Sequence, residues 1–160
     1  EVGPVIDAKS KEFITGLIDD AEAKGAEVVL DGRPLVIPGH EKGHFLGPTI
    51  VDNVPLESSL YTEEVFGPVL TVQEFSSDDD ALALANGVDY ALSSSIWTTG
   101  PQRVLRFSRD LDFGCVWVNS HIPLVAEMPH GGFKKSGYGK DLSIYGVEDY
   151  TRIKHVMSAL

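Results

Sequence analysis

Val69-Leu70-Thr71-Val72-Gln73-Glu74-Phe75-Ser76-Ser77-Asp78-Asp79-Asp80-Ala81-Leu82-Ala83-Leu84-Ala85-Asn86-Gly87 passes from one kind of regular structure to another within a single stretch. The β-branched and apolar residues from Val69 to Phe75 predict a strand. Ser77 stands where a helix cap is wanted, and Asp78, Asp79 and Asp80 fill the first turn, where negative charge complements the helix dipole. The helix is expected to end near Asn86-Gly87. A metal would need ligands that converge, and dipole complementation already accounts for the aspartate run.

The same alternation extends both ways. Upstream, Asp7 is placed to cap a helix whose apolar positions Phe13, Ile14, Leu17, Ile18 and Ala21 repeat at helical spacing, with Gly25 as its stop. Ala26 to Leu30 reads as a short strand closed by Asp31-Gly32. Arg33 to Gly47 reads as a Pro/Gly-rich exposed excursion, and Thr49 to Val54 as another strand. Downstream, Ala91 to Thr98 is strand-like, Pro101 opens a helix where proline is tolerated, and Phe113 to Val118 is a third strong strand. Asn119 to Gly139 is loop-rich, and Tyr150 to Met157 has strand character. Strands alternating with helices give an α/β class with an open, partly parallel sheet and flanking helices. No repeat is present, and no internal linker is expected to split the chain.

The 160 residues suit one domain with a real core, and a 42% hydrophobic share is ordinary for a globular protein. No apolar run reaches the length of a membrane span, and no secretory signal is present. The opening Glu1-Val2-Gly3-Pro4-Val5-Ile6 lacks a Met and leads straight into a turn and a helix, so a fragment or excised domain is expected. Acidic residues exceed basic ones by 24 to 13, a formal charge of -11. Such a surface repels phosphate backbones and argues against nucleic-acid binding. The single cysteine, Cys115, cannot form an internal disulfide and suits a reducing, cytoplasmic setting.

Three motifs invite functions that their context opposes. His40-Glu41-Lys42-Gly43-His44 satisfies H-E-x-x-H, but that motif binds zinc on a helix, where residues four apart share a face. Pro38-Gly39 before it and Gly43 within it predict a surface loop, and no metal is expected. Gly131-Gly132 and Ser136-Gly137-Tyr138-Gly139-Lys140 resemble phosphate-cradling loops, yet neither dinucleotide nor P-loop spacing is met. They predict tight turns and close backbone approach. Cys115, with His121 or His130 as a base, could be a nucleophile. Its place in the apolar strand pattern Cys115-Val116-Trp117-Val118 reads instead as a buried structural thiol. Glu63-Glu64-Val65-Phe66-Gly67-Pro68 differs from these. An acid beside a strand end can accept hydrogen bonds from ribose hydroxyls, and an aromatic can pack on a nucleotide ring. The alternative is a solvated turn with Phe66 in the core.

Taken together, the motifs resemble the aldehyde dehydrogenase superfamily. Glu64-Val65-Phe66-Gly67-Pro68-Val69 is similar to its E-x-F-G-P-V element, and Val116-Trp117-Val118-Asn119 to its strand ending in V-N. Pro129-His130-Gly131-Gly132-Phe133-Lys134-Lys135-Ser136-Gly137 is similar to P-x-G-G-x-K-x-S-G. Gly139-Lys140-Asp141 stands where many members have G-R-E, and Tyr150-Thr151 with Lys154 matches the closing Y-T-x-x-K strand.

The resemblance implies the C-terminal portion of an NAD(P)-dependent enzyme that oxidises an aldehyde to its acid. Its fold would be of the aldehyde dehydrogenase catalytic-domain type, incomplete here, with residues 1–149 in the catalytic domain and 150–160 an oligomerisation tail. In that family a cysteine thiolate attacks the carbonyl, a hydride passes to the nicotinamide, and a glutamate-activated water releases the product. Neither nucleophile nor base is matched in this chain, and Cys115, after the E-x-F-G-P-V element, is in the wrong place for the nucleophile. Glu64 would bind the nicotinamide ribose and Phe66 would pack near the nicotinamide, with NAD as cofactor and NADP as the alternative.

Asn119 would anchor the loop that follows it. Asp141 falls where several members use a glutamate in a proton relay, one methylene longer. Leu124, Val125, Glu127 and His130 match the substrate mouth, with histidine at a position often aromatic. Val125 to Gly132 and Tyr145 to Thr151 resemble the aminoaldehyde oxidisers, the 4-aminobutyraldehyde (γ-aminobutyraldehyde) dehydrogenases with betaine aldehyde dehydrogenases as neighbours. The implied partners are a small aldehyde such as 4-aminobutanal, the preceding portion of the same enzyme, and further subunits in a dimer or tetramer. Neither nucleic acid nor membrane is implied. The rival classes are a zinc peptidase using His40, Glu41 and His44, and a non-catalytic interaction module.

Overall fold

The computed structural model describes residues 2–159; Glu1 and Leu160, the expected outer ends of the domain and the tail, lie outside it. The architecture is α/β with open sheets. The chain divides into two compact units, Glu1–Ser76 and Ser77–Leu160, a division the sequence patterning did not announce. Among the described residues no helix is long and apolar enough to cross a membrane.

The first unit runs α1 (Ala8–Ala23), β1 (Glu27–Leu30), β2 (Thr49–Asp52), α2 (Ser59–Thr62) and β3 (Val69–Val72). The Asp7 carboxylate accepts from the Ser10 N–H at 2.7 Å, and this cap bond holds the acid below the usual carboxylate range. The sheet order is β1-β2-β3, with β1 antiparallel and β3 parallel to β2. Ile14, Leu17, Ile18 and Ala21 of α1 pack with Ala26, Leu46, Val51, Val54 and Leu60 into one core. Burying each of the large aliphatics contributes about 1.5–3 kcal/mol. Phe13, expected on that apolar face, is instead half exposed, at 50%. Leu46 explains where the excursion ends, because it turns back into the core. Arg33 bridges Asp19, Glu22 and Asp31 and ties the excursion to α1; its guanidinium holds Asp31 below the usual carboxylate range.

The second unit runs α3 (Asp78–Asn86), β4 (Tyr90–Ala91), β5 (Ser93–Ile96), α4 (Pro101–Asp110), β6 (Cys115–Val118), β7 (Phe133–Lys134) and α5 (Ser143–Asp149). Ser77 accepts from the Asp80 N–H at 3.1 Å, as its spacing predicts. The acidic turn is also clasped from α4, Arg103 meeting Asp78 and Arg106 meeting Asp79. β5 and β6 pair in parallel with α4 as the crossover, which accounts for the expected alternation. The single strand expected over 91–98 is broken at Leu92: β4 pairs antiparallel with β7, while β5 pairs with β6. The loop expected from Asn119 to Gly139 therefore contains a strand. Residues 150–159 form no strand and are exposed throughout, so the expected strand over Tyr150–Met157 is not formed. Among the described residues its backbone groups meet no neighbouring strand edge.

Glycines decide how the second unit closes. A Cβ on Gly114 would collide with the carbonyl oxygen of Gly131, and one on Gly131 with that of Gly139. Gly114→Ala should therefore destabilise the fold by about 1–3 kcal/mol, read from urea unfolding. Gly3→Ala, whose Cβ meets nothing within 4 Å, should stay within about 0.5 kcal/mol.

Candidate functional site

Outside glycine, left-handed φ values among the described residues fall at Asn53, Phe66, Asn119, Ile122, Lys134, Leu142 and Ser143. Each such residue costs on the order of 1–3 kcal/mol and persists only where its surroundings over-determine it. Asn tolerates this region readily, and Asn53 simply turns the chain after β2. Of the remainder, Phe66 stands alone in the first unit, and Asn119, Ile122, Lys134, Leu142 and Ser143 lie in the second.

In the first unit, Gly67 rests directly on the core: a Cβ there would lie 2.6 Å from Cδ1 of Ile14. Val65 packs against the same core. Between them Phe66, at φ 53, is turned outward and is 83% exposed. The alternative that placed Phe66 in the core is thereby corrected. Phe66 lines an apolar hollow of about 470 Å³ with Val2, Pro4, Ile6, Phe13 and Pro68. Glu64, two residues before it, is exposed. The turn is secured by the Thr49 N–H, which donates to Pro68 O at 2.9 Å. Chemically this offers a solvent-facing ring and a nearby carboxylate on a rigid base, a set that can pack on a flat heterocycle and accept from hydroxyls.

In the second unit, Asn119 anchors its loop as the resemblance implied. Its Oδ1 accepts from the Thr98 N–H at 2.8 Å and its Nδ2 donates to Thr98 O at 2.9 Å. Trp117 then organises the residues of that loop. Its indole N–H donates to Pro123 O at 3.0 Å, the His121 ring meets it edge-on at 5.3 Å, and the His130 ring stacks on it at 6.5 Å. His121 Nδ1 lies 2.6 Å from Ser95 Oγ. His130 Nδ1 is buried with no hydrogen-bond partner among the described residues. Leu124, Val125 and Glu127 are exposed on the same loop. The Asp141 side chain is exposed as well, but its backbone pairs reciprocally with that of His130, at 2.8 and 2.7 Å. His130, Lys140, Asp141, Asp149 and Tyr150 line a hollow of about 580 Å³.

Sequence reasoning missed Trp117 and Ile122 as members of this site. Trp117 carried a usable signal, since a strand-end indole needs an acceptor for its N–H. Ile122, at φ 67, carried none: β-branching and the following Pro123 both disfavour the conformation it adopts. The glycine pair does what its composition suggested. Gly131 and Gly132 allow backbone-to-backbone crossing, and Ser136 Oγ accepts from the Ala91 N–H at 3.0 Å.

The H-E-x-x-H stretch runs through turns at 38–39 and 41–43 rather than a helix, so His40 and His44 do not share a helical face. The Glu41 carboxylate accepts from the Gly39 N–H at 2.8 Å. Cys115 is half-buried rather than fully buried, and burial pushes its thiol above the ordinary range.

The aldehyde dehydrogenase family model matches residues 1–156. The chloroplastic betaine aldehyde dehydrogenase of Beta vulgaris is 40% identical over 158 residues, which cover 98% of this chain and 31% of the relative. Aminoaldehyde dehydrogenase 1, peroxisomal, of Malus domestica is 40% identical over 156 residues, covering 97% and 30%. The crystal structure of betaine aldehyde dehydrogenase from Staphylococcus aureus in complex with NAD+ superposes with a TM-score of 0.87 at 35% identity, covering 94% of this chain and 30% of that one. The chain thus spans about a third of the length of the relatives it matches.

A thiol pushed upward by burial carries little thiolate at neutral pH, and the thiolate is the reactive form. Alkylation of Cys115 by iodoacetamide should therefore be slower than that of free cysteine near pH 7 and should accelerate only at higher pH. Fast stoichiometric labelling at neutral pH would identify an activated thiolate instead.

Proposed function

The chain belongs to the aldehyde dehydrogenase family, and from that premise we propose that it supplies the ribose-binding acid and the substrate mouth of a longer NAD(P)-dependent enzyme oxidising an aldehyde to its carboxylic acid. The observation that carries this reading is Phe66, held left-handed next to Gly67, which lies on Ile14, with its ring facing solvent two residues from Glu64. A fold that strains an aromatic outward, away from an available core, favours a role in contact with a ligand.

In this reading Glu64 accepts from the nicotinamide ribose hydroxyls and Phe66 packs near the nicotinamide ring. The exposed carboxylate, the outward ring and the apolar hollow beside it fit such a group. When bound, the cofactor supplies the hydride acceptor; NAD is the proposed form, with NADP as the alternative. The thiolate nucleophile and the glutamate base come from residues outside this chain, consistent with its covering about a third of its relatives. Cys115, with its raised thiol, is no substitute. Leu124, Val125, Glu127 and His130 form the mouth that admits the aldehyde, and Asp141 stands at its rim as a proton relay for the missing base. Residues 1–149 are proposed as catalytic-domain structure. Residues 150–160 are the tail: Tyr150, Ile153, Val156 and Met157 are exposed and await another subunit's strand edge, in a dimer or tetramer. A cytoplasmic setting suits the free thiol.

The proposed substrate is an aminoaldehyde such as 4-aminobutanal. Glu127 lies exposed in the mouth loop, and the chain as a whole carries a formal charge of -11, so a cationic end is drawn toward it. A partly screened charge pair is worth on the order of 1 kcal/mol, which is several-fold in a rate ratio. The enzyme should show higher kcat/KM for 4-aminobutanal than for butanal, with the gap narrowing on Glu127→Gln and on added salt. Equal efficiency on the two aldehydes, insensitive to both changes, would remove the aminoaldehyde assignment.

A further inference from the structure

We propose that Leu142 is a positioning residue for substrate binding, whose left-handed conformation sets the place of the mouth loop from Ile122 to His130. The inference rests on the reading of that loop as the substrate mouth. Leu142 has φ 65 and ψ 178, a region occupied almost solely by glycine, and Ser143 follows at φ 55. Two successive residues of this kind need a cause, and the hydrogen bonds around them supply it. The His130 N–H donates to Asp141 O and the Asp141 N–H to His130 O, so these two residues oppose each other in an antiparallel bridge. A regular ladder continued from that pair would set Ser143 opposite Met128. Instead the Ser143 N–H donates to Ala126 O at 2.8 Å, two residues further along the loop. The kink at Leu142 provides that extra advance.

The mouth loop is consequently held at its beginning, middle and end. Pro123 O accepts from the Trp117 indole, Ala126 O accepts from Ser143, and His130 is bonded to Asp141 while its ring stacks on Trp117. Leu124, Val125 and Glu127 lie between these fixed points, so their placement follows from the frame. Leu142 also caps α5, since the Gly146 N–H donates to its carbonyl at 3.0 Å. The orientation of α5 and the placement of the mouth loop are therefore set by one residue.

The test uses Leu142→Val and Leu142→Gly in the full-length enzyme. A β-branched residue resists left-handed φ more than leucine does, whereas glycine accepts it freely. Leu142→Val should raise the aldehyde KM several-fold while kcat and the cofactor KM stay within about twofold. Leu142→Gly should match or improve on the natural KM, because the kink no longer opposes itself. Hydrogen exchange gives a second readout independent of activity. In Leu142→Val the amides of Met128 and His130 should exchange several-fold faster while those of α3 stay as they were, which a general loss of stability would not produce. Unchanged loop exchange, or an equal rise in α3, overturns the proposal. Accelerated loop exchange in a protein that oxidises no aldehyde would leave the frame standing and overturn the functional reading instead.

Discussion

Between Gly114 and Gly131 there is no space for a methyl group, because the carbonyl of Gly131 lies where a Cβ on Gly114 would stand. The chain after Pro129 crosses the entry to β6 backbone against backbone, and it does so again where Gly131 meets Gly139. That crossing seats β7 against β4 and lets Ser136 bond the Ala91 amide. It also brings His130 over the face of Trp117 and opposite Asp141. Without it, the loop carrying Leu124, Val125 and Glu127 would have no fixed end. A constraint of size at two glycines thus reaches the loop proposed as the substrate mouth.

The two units use strain in the same manner. In the first, Gly67 lies on Ile14 and Val65 on the core, so the intervening Phe66 has only the outward, left-handed course open to it. In the second, the left-handed Leu142 carries the chain from the His130–Asp141 bridge to the Ser143–Ala126 bond, and those bonds hold it on either side. In both cases ordinary packing and hydrogen bonding on either side outweigh a local cost on the order of 1–3 kcal/mol, and the strained residue presents or places a side chain near the proposed ligands. Electrostatics supports the scaffold more than the sites. Arg33 with its carboxylates secures α1, and Arg103 with Asp78 secures α3, while Glu64 and Glu127 remain exposed.

Much of this was legible in the residues. Asp7, Ser77 and Pro101 each begin a helix where their chemistry predicts, because capping is decided within a few residues. The parallel pairing of β5 and β6 follows from a strand, a helix and a strand in succession. Features that depend on distant neighbours were not legible. The break at Leu92 arises because Ala91 pairs across to Phe133, some forty residues on. Phe13 fits the apolar period of α1 yet faces the hollow beside Phe66. Tyr150 to Met157 has the composition of a strand and, among the described residues, joins no strand edge. In the candidate site, the motif residues Glu64, Phe66, Asn119 and His130 could be named from sequence, but their support could not. Trp117 and Ile122 act through geometry that a linear pattern does not encode.

We propose that Glu64 and Phe66 hold the nicotinamide end of the cofactor for an aldehyde oxidation whose nucleophile lies elsewhere. The most direct measurement is the pre-steady-state burst of NADH absorbance in the full-length enzyme, natural and Glu64→Gln. Loss of the ribose-binding carboxylate should misplace the hydride acceptor and slow the burst by roughly tenfold or more, since small displacements forfeit near-attack geometry. A burst of unchanged rate would show that Glu64 is a turn residue with no part in holding the ribose.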